Sequence, residues 1–148
     1  MHDLCLLLRD LVFCFLTTLT FAFLMSAPLR AKLLSAGIAT AGYLIYDIFI
    51  MQEMSVLLAF FAGTVVIAVL AEVTARLAKM PATLFIYPAV IPLVPGLGLH
   101  QTMLCLMQGD YAGFGQTGTQ TALIAGVMAA GVAIVNLTVR VVFYRRKR

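Results

Sequence analysis

The residues with chemistry to offer are crowded into one stretch, Tyr87-Pro-Ala-Val-Ile-Pro-Leu-Val-Pro-Gly-Leu-Gly-Leu-His100, and the two residues behind it, Gln101 and Thr102. Three of the five prolines and one of the two histidines lie there. Proline removes a backbone donor and clashes with the carbonyl four residues back. Glycine frees the backbone. In a bilayer the polar groups so released must be satisfied by protein or trapped water. The stretch is therefore either a packed kink or a broken helix lining a site. One proline explains a kink; three, with Gly96, Gly98 and the polar run His100-Gln101-Thr102, argue for a discontinuous helix at a site. Its second half would start at about Pro95–Gly98, where unpaired N–H groups and the positive end of the helix dipole suit a carboxylate. The candidate substrate-binding residues are Pro92, Pro95, Gly96, Gly98, His100, Gln101 and Thr102. For His100 two readings stand: a hydrogen bond to a carbonyl freed by the break, or contact with substrate as a group that titrates near neutrality and could carry a proton.

Other chemistries find no support. There is no nucleophile–base arrangement and no carboxylate pair at catalytic spacing. Gly96-Leu-Gly98 is too short for a dinucleotide fingerprint. Cys5, Cys14 and Cys105 are odd in number and show no metal or disulfide spacing, so they read as small buried hydrophobes. No catalytic residue, metal or cofactor is called for, and an enzyme is not expected.

The elements that must position this stretch are membrane helices. The 148 residues are 63% hydrophobic and 11% charged, without Trp, and mean hydropathy is +1.05. A soluble domain is nearer half apolar and a quarter charged. The net charge of +4 does not point to nucleic acid, because the basic residues flank apolar runs and interleave with no aromatics. About 20 apolar residues cross the hydrocarbon core. The runs predict an all-α polytopic membrane helix bundle, one domain over 1–148 with spans at about 11–27, 33–51, 54–75, 82–107 and 118–142, the fourth broken. Gln108 to Gly115 reads as a glycine-rich loop. His2, Asp3, Arg9 and Asp10 make no basic leader, and a cut after Ala27 would leave Pro28 directly behind it, so a retained first span is expected. With five spans, Arg30 and Lys32, Arg76 and Lys79, and Arg145 to Arg148 all fall on one side. The positive-inside rule then puts the N-terminus outside and the C-terminus in the cytoplasm; a four-span chain would leave one basic cluster outside.

Small residues mark packing surfaces. The last span carries Gly118, Ala122, Gly126 and Ala130 at four-residue steps and a parallel row of Ala125, Ala129 and Ala133; the third has Ala59, Gly63, Ala68, Ala71 and Ala75. Packing within the bundle is the first expectation and a partner in the membrane the second. Glu72 and Arg76 form an i,i+4 pair expected to neutralise each other. Asp47 is an interfacial charge or a vestibule residue. Asn136 suggests an interhelical hydrogen bond.

Ala78-Lys-Met-Pro-Ala-Thr83 followed by Pro88-Ala-Val-Ile-Pro-Leu-Val-Pro-Gly96 resembles the signature of the threonine/serine exporter family. Ala27-Pro-Leu-Arg30-Ala, Gly42, Ala71-Glu72 with Arg76 and the basic C-terminus also fit. Full-length exporters of that family have about ten spans, and this chain is similar to their C-terminal half, as found in the small subunit of split bacterial systems associated with succinate export. The resemblance implies a subunit of an inner-membrane exporter for small carboxylate-bearing metabolites (threonine, serine or a succinate-like dicarboxylate) that works with a larger partner subunit. His100 is not carried over, because the family varies after Pro95-Gly96. Two other readings stay open: a non-transporting scaffold or assembly subunit, and a small channel-forming homo-oligomer.

Overall fold

The computed structural model describes the backbone of residues 2–145 and the side chains of residues 6–141. The expectations for Cys5 and for the basic run at 145–148 therefore fall outside the described side chains. Among the described residues six helices follow in order: α1 His2–Leu24, α2 Leu29–Met51, α3 Val56–Ala78, α4 Thr83–Val90, α5 Gly96–Met107 and α6 Tyr111–Arg145, with one 3-10 turn, Ile91–Leu93, between α4 and α5. The chain is an all-α polytopic bundle. Among the described residues four helices are long and apolar enough to cross a membrane, and the α4–α5 pair, bent by 54° at its break, is a candidate fifth. A bend of 54° leaves α5 still advancing in the direction of α4, whereas a re-entrant loop must reverse it. Together the two halves reach roughly 30 Å along the axis of α4, the depth of the hydrocarbon core.

Helix ends explain where the sequence-based bounds move. Ser26, Glu53, Lys79 and Gly109 all take positive φ, at 52°, 54°, 55° and 76°. At each, the N–H of the following residue donates back to a carbonyl five residues earlier, as in Met80 N–H to Ala75 O at 2.9 Å and Asp110 N–H to Cys105 O at 3.0 Å. These are Schellman closures, which satisfy the last carbonyls of a helix. Three of the four use a residue other than glycine, so composition does not advertise them. The expected loop at Gln108–Gly115 shrinks to a turn. Gly109 closes α5, and Asp110 Oδ1 accepts from the Gly113 N–H at 3.0 Å, which starts α6 there. The first span likewise begins before Leu11, with its apolar window at Leu6–Leu24. Arg9 and Asp10 sit inside it as an adjacent ion pair at 2.9 Å.

The core lies where α2, α3 and α4 meet. Gly42 and Gly63 cross so closely that a Cβ on either would fall 3.0 Å from the other's carbonyl oxygen. Leu93 of the 3-10 turn is buried beside Gly63. Ala59, Ala68, Ala71 and Ala75 are buried, as the small-residue pattern of the third span predicts. In α6 that expectation fails. Its buried residues are Thr121, Met128, Gly131 and Val135, while Ala122, Gly126, Ala130, Ala125, Ala129 and Ala133 are exposed. Only Gly118 of the two rows is drawn in, against Thr102. The larger Thr121, Ile124 and Met128 face inward because α3 and α5 meet α6 at different heights, and bulkier side chains fill the space.

Candidate functional site

The break is built by three prolines in three different ways. Pro88 stays inside α4; lacking an N–H, it leaves the Leu84 carbonyl without its helical donor. Ser35 of α2 supplies the replacement, its hydroxyl shared between Ala31 O at 2.7 Å and Leu84 O at 3.3 Å. Pro92 sits at the start of the 3-10 turn. Pro95 caps α5 with φ −74° and ψ 61°, and Gly96 is the first residue of that helix. Leu99 N–H already bonds Pro95 O at 3.1 Å, and Gly96 N–H bonds Val94 O at 2.7 Å. The amides of Leu97 and Gly98 follow in the first turn, where no carbonyl lies one turn behind to receive them.

The seven residues picked out from sequence do not share one cavity. Pro92 lines a cavity of ≈ 350 Å³ with Ile91, Asp10, Cys14, Thr17 and Tyr43, so this cleft lies between the break, α1 and α2. Gly98 and Thr102 face α6: a Cβ on Gly98 would collide with the Thr121 hydroxyl, and Thr102 is 8% exposed, its own hydroxyl bonded to Gly98 O at 2.7 Å. Pro95 is half-buried, and Gly96, His100 and Gln101 are exposed. Among the described residues α5 packs against α6 alone. One face of α5 is therefore used, and the face with His100 and Gln101 is not.

Asp10 was not singled out from sequence, where it counted as a flanking charge. It joins two cavities. One is the cleft at Pro92; the other, of ≈ 190 Å³, it shares with Asp47, Leu6, Leu7 and Met51. Asp47 Oδ2 is buried there with no hydrogen-bond partner among the described residues. Asp47 thus lines a cavity near the end of α2, as the vestibule reading expects. Counting from the helix ends, Asp47 lies about 6 Å inside α2 and Asp10 about 12 Å inside α1, and an ionisable group within a span is a candidate for function. Asp10, Cys14 and Thr17 recur at helical spacing on one face of α1, which was the available signal. Tyr43 and Tyr46 continue the polar lining into an aromatic cluster, with Tyr46 4.8 Å from Phe60 between ring centres. Glu72 and Arg76 do pair, at 3.5 Å. Asn136 lines a groove rather than bridging helices by a hydrogen bond among the described residues.

The comparisons with known proteins bear on this break directly. The family model described as Threonine/Serine exporter, ThrE, matches residues 10–138, which include α4, the break and α5. The chain belongs to the threonine/serine exporter family. An uncharacterized protein of Haemophilus influenzae is 27% identical over 150 residues, a match covering 95% of this chain and 49% of that protein. The chain thus spans about half the length of this curated relative. No solved structure matches. Its family and its several long apolar helices make it a multi-pass membrane protein.

Proposed function

We propose that this chain is one half of an inner-membrane exporter for small carboxylate-bearing metabolites, threonine and serine or a succinate-like dicarboxylate, and that a larger subunit supplies the other half. The observation that carries this is the unpartnered face of α5. At membrane depth it exposes His100 and Gln101, and polar groups facing lipid are costly. Beside it, α6 exposes two rows of small residues that suit close helix approach. A second half laid across α5 and α6 covers both. The match to half of a relative's length supports the same reading.

In this scheme the substrate carboxylate sits against the first turn of α5 at Pro95, Gly96 and Gly98, with Pro92 forming the wall toward α1. Gln101 and His100 reach it from the face that the partner closes, and Thr102 fixes α5 on α6. Asp10 receives a cationic group, either the ammonium of an amino acid or a coupling cation, in exchange for its pairing with Arg9. The N-terminus is outside and the C-terminus cytoplasmic, following the basic clusters. The deciding experiment is efflux of labelled serine, threonine and succinate from cells carrying this chain, the partner, both or neither. Export only with both chains is expected. Export by the partner alone makes this chain a scaffold, and conductance from the purified chain alone makes it a homo-oligomeric channel.

A further inference from the structure

A second polar concavity lies away from the break. Where α3, α4 and α6 converge, a groove of ≈ 680 Å³ is lined by Glu72 and Arg76 of α3, Thr83 of α4, and Asn136 and Arg140 of α6. Arg76 lies within two residues of the end of α3, Thr83 is the first residue of α4, and Arg140 stands five residues before the end of α6. All three therefore stand at one end of the bundle, the end where Arg30, Lys32 and Lys79 also gather. That is the level at which lipid phosphates meet a spanning helix. Among the described lining residues the groove holds one carboxylate, Glu72, which lies against Arg76 at 3.5 Å, and two guanidiniums, Arg76 and Arg140. Its wall continues along Ile86 and Leu137, and Leu137 is 62% exposed on the lipid-facing side. Thr83 adds the positive end of the α4 dipole.

We infer that this groove is a binding site for an anionic phospholipid. The phosphate lies between Arg140 and Arg76, the polar headgroup meets Asn136 and Thr83, and an acyl chain follows Leu137 down the outside of the bundle. Excess positive charge selects an anion, and arginine forks suit a phosphate in two-point contact. The apolar wall selects an amphiphile over a small soluble anion. Basic pockets between membrane helices on the basic side of a bundle recognise headgroups in this way. An arginine that merely snorkels to the interface shows no preference among headgroups, so preference is the quantity to measure.

The test is thermal unfolding of the full chain in neutral detergent, titrated with phosphatidylglycerol, phosphatidylcholine or inorganic phosphate. Phosphatidylglycerol is expected to raise the midpoint at concentrations where phosphatidylcholine does not. Arg140→Gln is expected to weaken the phosphatidylglycerol dissociation constant about five-fold, the effect of one near-surface basic residue. Should that variant not fold, the wild-type chain suffices, because its preference must fall as salt is raised. Equal response to both lipids overturns the inference, as does a preference indifferent to both salt and Arg140→Gln. A shift produced by inorganic phosphate as strongly as by phosphatidylglycerol also overturns it, in favour of a soluble-anion site.

Discussion

At the scale of single residues, two side chains separate structure from function. Ser35 answers for the backbone group that Pro88 strands in α4. Ser35→Ala removes that donor, and an interhelical hydrogen bond in a membrane is worth about 0.6 kcal/mol. A lower thermal midpoint in detergent is expected, with the chain still inserted; an unchanged midpoint means that another group satisfies Leu84. Asp47 works in the opposite sense. Its Oδ2 is buried without a partner among the described residues, and a buried acceptor left unpaired costs roughly 1–3 kcal/mol. Asp47→Leu is expected to raise the midpoint by about 1 kcal/mol of stability, while export from cells with both chains falls. A variant both less stable and fully active places Asp47 in the framework and removes it from the vestibule.

At the scale of helices, α5 is the element to test, because so little of it is committed to packing. A Cβ at Gly96 meets nothing within 4 Å, whereas one at Gly98 runs into Thr121. The two glycines therefore fail for different reasons. Gly96→Leu leaves the chain's own packing intact and is expected to lower export at least ten-fold, about 1.4 kcal/mol, by filling the space before the first turn of α5. Unchanged export with this variant removes the substrate from that position. Gly98→Leu is expected to push α5 from α6 and to lower the thermal midpoint as well. The contrast also shows what the sequence makes legible. The apolar runs, the break and the buried Ala59-to-Ala75 stripe are local patterns of hydropathy and residue size, and helices, a bent pair and a buried stripe stand where they point. The Schellman ends at Ser26, Glu53 and Lys79 escape notice because nothing in those residue types marks a left-handed backbone. Asp10 escapes because its adjacent ion pair with Arg9 carries two charges into a span that a charge-free window begins only after them. The grouping of Asp10 with Pro92 is a contact between distant segments, and no spacing rule within one helix encodes it.

At the scale of the whole molecule, the glycine contacts differ between the core and the outer face of α6. Gly63 is enclosed: a Cβ there would press on the Gly42 carbonyl at 3.0 Å and on Leu93 at 3.1 Å. Gly126 is open, with nothing within 4 Å, and stands in an exposed row with Ala122 and Ala130. If this chain were self-sufficient, bulk at Gly126 would be indifferent and the row would be an accident of composition. If a second half packs there, bulk at Gly126 strikes the partner. Overpacking a close contact costs typically 1–3 kcal/mol. Gly126→Leu is therefore expected to leave the thermal midpoint of the purified chain within measurement error while reducing co-purification of the partner subunit about ten-fold or more. Gly63→Leu is expected to reduce the amount of folded chain itself. Should Gly126→Leu leave both co-purification and export intact, the small-residue face of α6 meets lipid, and the partner must be sought along α5 alone, where His100 and Gln101 can be replaced by leucine with the same two readouts.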